Sequence, residues 1–268
     1  MKKAHEIDFT VYGDDMQFVE IGLDSGESVV AEAGAMMYMD GSIEMDSIFG
    51  DGSGKDSGKG VMGMLMGAGK RVLTGESLFM TVFTNRARDR KVVAFAAPYP
   101  GKIIPFDLSE YGQQMICQRD AFLCAAKGIA IEIAFQKKIG AGLFGGEGFI
   151  MQRLEGDGLS FMHAGGTIIK KDLARGEMLK IDTGCLVAMT ATVDYDVEFV
   201  GNIKSAIFGG EGLFFATLKG PGTVWLQSLP FSRLADRMIA AGKKRGGKNK
   251  EEGSLIGNIG LGGLLGRD

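Results

Sequence analysis

The chain has 268 residues, of which 45% are hydrophobic and 24% are charged, with a formal net charge of −3. These proportions are ordinary for a soluble globular protein, and the charge argues against a general polyanion-binding surface. Glycine is abundant at 43 residues and proline is rare at 5, which excludes collagen and indicates many tight turns between short strands.

The first elements show the alternation of apolar and polar residues that is typical of strands. This pattern predicts strands over residues 7–11 and 16–23, followed by a turn at 24–26. The next stretch predicts two short strands bent at Gly34. Residues 48–69 are rich in glycine, serine and lysine and predict a loop, after which residues 78–83 form an apolar run that predicts another strand.

One stretch of the chain recurs. Residues 72–83 read VLTGESLFMTVF, and related segments lie at 143–154 and 207–218. The three segments align on one acidic position, which is occupied by Glu76, Glu147 and Glu211. The turns upstream keep a spacing of 8 residues in each copy, from Gly26 to Gly34, Gly112 to Asp120 and Gly176 to Gly184. The chain is therefore predicted to contain one β unit used three times.

These observations predict the domain organisation. The units cover residues 1–98, with a Gly-rich insertion at 48–69, then 99–160 and 161–229. A helix is predicted at 230–242 because five apolar residues fall on one face: Phe231, Leu234, Ala235, Met238 and Ile239. Residues 243–268 form a basic linker and a Gly-rich apolar tail.

Motifs that suggest chemistry have simpler structural explanations. Residues 140–145 match GxGxxG, but a strand-like segment follows where a dinucleotide site needs a helix. The Gly-rich loop at 52–60 lacks the glycine and hydroxyl residue of a phosphate loop. The three aligned glutamates favour a structural role, because each carboxylate would accept hydrogen bonds from the glycine turn beside it. The dense methionines, which include Met36, Met37, Met39 and Met45, favour adaptable packing at a subunit contact over soft-metal binding.

The cysteines and histidines do not form a recognisable site. Cys117, Cys124 and Cys185 contain no CxxC motif, and His5 and His163 lie far apart in sequence, which argues against a disulfide framework or a zinc site. Free thiols fit a reducing compartment, and the N-terminus lacks the features of a secretory or transit peptide, so we expect a cytoplasmic protein. No catalytic, cofactor-binding or metal-binding residue is predicted, and no cofactor.

Several of these segments together resemble a known family. The three units, the AEAGAMMYMDGSIEMD and LTGESLFMTVFTN stretches and the C-terminal NIGLGGLLG are similar to bacterial relatives of the mitochondrial altered-inheritance-of-mitochondria protein. The close, regular spacing of the short strands itself predicts an all-β fold, a sandwich or a barrel. The resemblance implies a TRAP-like fold of three short double-stranded β-helix-like units that form a compact β-sandwich assembly. It also implies a trimeric ring of chains. Relatives in mitochondria are linked to organelle integrity, and the resemblance carries no catalytic residues.

The sequence therefore favours a non-enzymatic oligomeric scaffold or interaction protein of unknown biochemical activity. Its expected partners are further copies of itself, with a protein or a membrane surface as an additional contact through the basic linker and apolar tail. DNA is not expected, and the weak repetition of basic residues argues against RNA. One alternative is a small-ligand-binding module with sites between the β units. A second alternative is an enzyme that uses His163 or Cys185.

Overall fold

The computed structural model describes residues 4–49, 79–137, 149–199 and 214–243. Short strands dominate these ranges, and one α-helix follows them. The prediction of an all-β fold with a single C-terminal helix is therefore confirmed. The three aligned glutamates, most of the 48–69 insertion, both glycine-rich motifs and the apolar tail lie outside the described residues.

The first group of strands occupies residues 8–96. It consists of β1 (Asp8–Tyr12), β2 (Phe18–Leu23), β3 (Ser28–Glu32), β4 (Met36–Met39), β5 (Ile43–Phe49), β6 (Phe79–Asn85) and β7 (Lys91–Ala96). The strands predicted at 7–11 and 16–23 correspond to β1 and β2. The predicted bend between β3 and β4 is also present, and Gly34 there has a φ of +88°, which a residue without a Cβ adopts at little cost.

Two further groups follow. The second consists of β8 (Gly101–Asp107), β9 (Gln114–Gln118), β10 (Phe122–Ala126), β11 (Ala130–Lys137), β12 (Phe149–Glu155) and β13 (Leu159–Gly165). The third consists of β14 (Ile168–Leu173), β15 (Met178–Asp182), β16 (Leu186–Thr190), β17 (Asp194–Phe199), β18 (Phe214–Lys219) and β19 (Gly222–Gln227). The predicted boundary between residues 160 and 161 falls within β13.

The strands pair in the same way in each group. β3 pairs with β6, β9 with β12 and β15 with β18. β4 pairs with β7, β10 with β13 and β16 with β19. Two contacts join successive groups, because β3 also pairs with β10 and β9 also pairs with β16.

These pairings produce four antiparallel sheets. The first has the order β1-β2-β7-β4, and the second has the order β5-β6-β3-β10-β13-β8. The third has the order β11-β12-β9-β16-β19-β14, and the fourth has the order β15-β18-β17. The second and third sheets each take strands from two successive groups, whereas the first and fourth sheets do not.

Aromatic side chains join the sheets face to face. Phe83 on β6 and Phe95 on β7 meet edge to face with ring centroids 5.2 Å apart, which connects the second sheet to the first. Phe106 on β8 and Trp225 on β19 meet in the same way at 4.9 Å, which connects the second sheet to the third. Such a pair contributes about 0.5–1.5 kcal/mol beyond the burial of its surface. The apolar core therefore runs between the sheets rather than along a helix.

The C-terminal helix α1 (Phe231–Lys243) begins directly after Pro230, close to the predicted start. The sheets belong to one compact unit, Met1–Ser232, and a second unit begins at Arg233. Within α1, Met238 and Ile239 from the predicted apolar face are exposed. In the part of the chain that the structure describes, no helix is long and apolar enough to cross a membrane.

Candidate functional site

Strand β4 is an edge of the first sheet, and its apolar side chains face solvent. It pairs with β7 on one side, and no described strand pairs with its other side. Met36, Met37 and Tyr38 are all exposed. Exposed apolar residues on an open edge strand are typical of a surface that another chain covers.

The corresponding residues are buried in the other two groups. Each of β4, β10 and β16 has a register shift around its second residue, which places Met37, Leu123 and Val187 at equivalent positions. Met37 is 54% exposed, whereas Leu123 is 1% and Val187 is 0% exposed. The difference follows from pairing, because β10 and β16 each have strands on both sides. The apolar side chains of β4 therefore suit a strand with neighbours on both sides, although only one side of β4 has a neighbour among the described residues.

Aromatic residues extend the apolar surface of β4 across the first sheet. Tyr38 packs against Phe18 with ring centroids 6.3 Å apart, and Phe18 stacks on Tyr12 at 5.0 Å. The Tyr38 hydroxyl donates a hydrogen bond of 2.5 Å to Glu20 Oε2. This hydrogen bond is the main reason that the pKa of Tyr38 is raised to about 12. Tyr38 therefore stays protonated at physiological pH and holds one orientation beside the open edge.

Strand β15 is the corresponding open edge of the fourth sheet. It pairs with β18, and no described strand lies on its other side. It begins two residues after Gly176, just as β3 follows Gly26 and β9 follows Gly112, and all three glycines have positive φ. Met178 is exposed on β15. Lys180 is also exposed, with its Nζ 3.9 Å from Glu198 Oε2.

His163 lies within β13 and is only 1% exposed. Its ring meets Tyr99 edge to face, with centroids 4.3 Å apart. Neither ring nitrogen makes a well-formed hydrogen bond to a protein group. Burial lowers the pKa of His163 to about 4, and a hydrogen-bonding contribution from the Tyr99 backbone opposes this shift to a smaller extent. The imidazole is therefore neutral at pH 7.

Comparison with the third group explains why the His163 ring nitrogens make no well-formed hydrogen bond. Gln227 occupies the equivalent position, because β8 pairs Ile103 with His163 as β14 pairs Ile168 with Gln227. Gln227 accepts a hydrogen bond from the Gly165 amide and donates one to the Gly184 carbonyl, both at 2.8 Å. The residue that corresponds to Gly165 is Pro100, three positions before Ile103, and proline has no amide hydrogen to donate.

Charged groups gather where the first and second groups meet. Burial and the nearby charge of Asp120 raise the pKa of Glu32 to about 7, whereas Arg119 opposes the shift. The Glu32 side chain nevertheless keeps access to solvent at the end of β3. Burial, followed by Asp120 and Glu32, raises the pKa of Tyr99 to about 12. Glu32, Asp120 and Tyr99 therefore share one electrostatic neighbourhood, which also contains His163 through its ring contact with Tyr99.

The cysteines lie in two kinds of environment. Cys185 is partly buried in a 3₁₀ turn, Thr183–Cys185, between β15 and β16. Cys117 and Cys124 are fully buried, and burial raises the pKa of both thiols. Across the described ranges, no group of three or more His, Cys, Asp or Glu side chains is arranged to hold a metal ion.

Comparisons with known proteins cover most of the chain. A family model described as Mitochondrial biogenesis AIM24 matches residues 9–229. An uncharacterised protein of Streptococcus pyogenes serotype M6 is 34% identical over 225 residues, which are 82% of this chain and 85% of that protein. The X-ray crystal structure of a Streptococcus pyogenes protein matches with a TM-score of 0.70 and 25% identity, covering 88% of this chain and all of that one.

Proposed function

The chain belongs to the family described as Mitochondrial biogenesis AIM24, and from that premise we propose that it is a non-enzymatic scaffold that assembles with further copies of itself. The family resemblance predicted from the sequence is confirmed by the match. The biochemical activity of this family is not indicated by its relatives, so the proposal rests on the surfaces of the chain. In this proposal the three strand groups are copies of one β unit, and the assembly is a cytoplasmic trimer.

The observation that carries the proposal is the exposure of β4. Its side chains are apolar, as they are in β10 and β16, yet Met37 is 54% exposed where Leu123 and Val187 are buried. Burial of a side chain of this size contributes about 1.5–3 kcal/mol, so a neighbour that covers β4 gains appreciable free energy. Methionine suits such a contact because its flexible thioether adapts to the partner surface.

Size-exclusion chromatography with light scattering tests the proposal. We expect a mass that is a multiple of the chain mass, with a trimer as the specific expectation from the family resemblance. A monomeric mass over the whole accessible concentration range would refute the scaffold proposal.

A matched pair of variants locates the contact. Met37→Glu places a charge on the open edge of β4, and Met45→Glu makes the same change on β5, where Met45 is also 54% exposed. We expect Met37→Glu to shift the protein towards smaller species and Met45→Glu to leave its size unchanged. Equal effects of both substitutions would remove β4 from the proposed contact.

A small-ligand-binding module is the second candidate, and one observation favours it. After burial, the nearby charge of Asp120 raises the pKa of both Glu32 and Tyr99 at the junction between the first two groups, beside the buried His163. Titratable groups with shifted pKa values at a junction are a feature of small-molecule sites. Native mass spectrometry of protein purified from its host is expected to show the added mass of a retained small molecule. The Glu32→Gln variant is expected to lose that added mass. A bare chain mass, with no thermal shift across a metabolite panel, would exclude this candidate.

A further inference from the structure

We infer that the open edge of β4 in one copy pairs with the open edge of β15 in a second copy, so that the first and fourth sheets of neighbouring chains join head to tail. This inference rests on the proposed function, because it requires the chain to self-associate.

The chain already makes this type of joint within itself. β3 pairs antiparallel with β10, with Ala31 opposite Cys124. β9 pairs antiparallel with β16, with Cys117 opposite Ala188. In both joints, a strand that follows a positive-φ glycine meets a strand that carries a register shift at its second residue.

The two remaining halves of such a joint are both open. β4 has the register shift, between Met36 and Tyr38, and β15 follows Gly176, which has positive φ. Each has one paired side and one side without a described neighbour. Joining them would produce a sheet with the strand order β17-β18-β15-β4-β7-β2-β1. Its first six strands repeat the arrangement of the second and third sheets, and β1 is an additional strand beyond β2.

Equivalence of positions fixes the register of the joint. Tyr38 is the first paired residue after the shift, as are Cys124 and Ala188. Ile181 lies five residues after Gly176, as Ala31 lies five after Gly26. The inferred register therefore places Tyr38 opposite Ile181, Met39 opposite Lys180 and Asp40 opposite Leu179.

Backbone hydrogen bonds of β4 agree with that register. The Asp40 amide donates to the Val92 carbonyl on β7 at 3.0 Å. Alternate residues of a strand direct their amides to opposite sides, so the amide of Met39 points to the open side. Directly after β10, the Lys127 amide donates to the Ser28 carbonyl of β3 at 3.1 Å, which by alternation makes Ala125 and Val30 a hydrogen-bonded pair. Met39 is the equivalent of Ala125, so the same kind of pair is available at the open edge.

Lys180 is the main departure from the internal joints. Its equivalents are Ile116, which is 7% exposed, and Val30, which is buried. Lysine on an edge strand opposes indiscriminate pairing, because its charge must leave water when a neighbour covers it. Glu198 lies beside Lys180 and offsets part of this cost. The joint is therefore weaker than the internal ones, and it responds to salt.

The contact is directional. Each copy has one β4 edge and one β15 edge, so the two surfaces of the joint are different and copies add head to tail. Such heterologous contacts produce a ring if the rotation between copies closes and a filament if it does not.

Disulfide capture between two differently labelled copies tests the register. One copy carries Tyr38→Cys and the other carries Ile181→Cys, both in a Cys185→Ala background. Alanine is suited to position 185, because Ala35 and Ala121 occupy the equivalent sites. Residues opposite each other in a non-hydrogen-bonded antiparallel pair have Cα atoms about 4.5 Å apart, which a disulfide spans. We expect a mixed dimer that contains one copy of each label.

The register control combines Tyr38→Cys with Leu179→Cys. These residues would lie diagonally across the joint with Cα atoms roughly 7–8 Å apart, beyond the reach of a disulfide without backbone movement. We expect this pair to lose the crosslink. Asp40→Cys with Leu179→Cys provides a second in-register pair if Ile181→Cys does not fold, because Ile181 is largely buried.

The outcomes separate the inference from the proposed function. If the unmodified chain self-associates but neither in-register pair crosslinks, the inferred joint is wrong and the scaffold proposal stands. If the register control crosslinks as well as the in-register pairs, the specific register is wrong. If the unmodified chain is monomeric at every concentration, the scaffold proposal fails and the joint fails with it.

Discussion

Replacing His163 by leucine should remove a defined part of the pH dependence of stability. In the folded protein burial lowers the pKa of His163 from 6.5 to about 4. Between those values the unfolded chain binds a proton that the folded chain does not, so protonation favours unfolding. The wild-type protein therefore loses stability as the pH falls from about 6.5 to about 4, and this contribution is constant below that range.

The magnitude follows from the size of the pKa shift. A shift of one unit corresponds to about 1.4 kcal/mol, so His163 accounts for about 2–3 kcal/mol of the stability lost between pH 7.5 and pH 4.5. Leucine cannot titrate, and it fills a buried site without leaving two ring nitrogens unpaired. At pH 7.5 we therefore expect His163→Leu to lose at most about 1 kcal/mol of stability relative to the wild type. At pH 4.5 we expect it to be clearly more stable than the wild type.

Urea denaturation followed by tryptophan fluorescence measures this difference. Trp225 is the single tryptophan of the chain and is 4% exposed, so unfolding changes its emission. Protein concentration must be held constant, because self-association shifts apparent stability. His5, whose pKa is also lowered by burial, and Glu32, whose raised pKa acts in the opposite sense, are present in both proteins, so the comparison isolates His163. The same dependence on pH in both proteins would refute the assignment.

Two further predictions concern the edge strand and the packing of β8. Lys180→Ile should strengthen self-association about 30-fold. The reason is that burial of the new isoleucine, to the same extent as Ile116, contributes about 2 kcal/mol. Sedimentation at several concentrations measures the change, and Lys171→Ile on the exposed strand β14 is the charge-matched control. An association constant of Lys180→Ile equal to that of the wild type would count against the joint. Gly101→Ala should destabilise the fold by roughly 1–3 kcal/mol, because its Cβ would lie within 2.0 Å of the Ala164 carbonyl oxygen. Gly41→Ala, which meets no atom within 4 Å, should leave the urea midpoint unchanged, and equal midpoints for both variants would contradict the packing argument.

Local patterns predicted the strands and the helix well because those patterns arise within short segments. Alternation marks β1 and β2, and the bend at Gly34 follows from the backbone freedom of glycine. The helix starts within one residue of its prediction, because Pro230 suits the first turn and the apolar spacing is helical. The boundary predicted at 160 stays a prediction, and it falls within β13, where local patterns do not separate one group of strands from the next.

The open edges could not be predicted in the same way. The methionines of β4 suggested a subunit contact, but the strand is as apolar as the buried β10 and β16, so its exposure depends on which strand lies beside it. That relation is set by tertiary structure and leaves no local signal. The isolation of His163 is similar, because it depends on Pro100, which is distant in sequence and reaches the site only through the register of β8 and β13.

The register shift at Met37 has a consequence for solubility. A bulge adds local twist and leaves two residues opposite one, so a flat strand of arbitrary sequence cannot continue the ladder past it. Fibril growth requires flat edges that accept the same segment repeatedly. An edge as apolar as β4 would otherwise be an aggregation hazard. The bulge makes the edge selective, so the chain can expose an apolar edge strand in a crowded cell without pairing with most other strands.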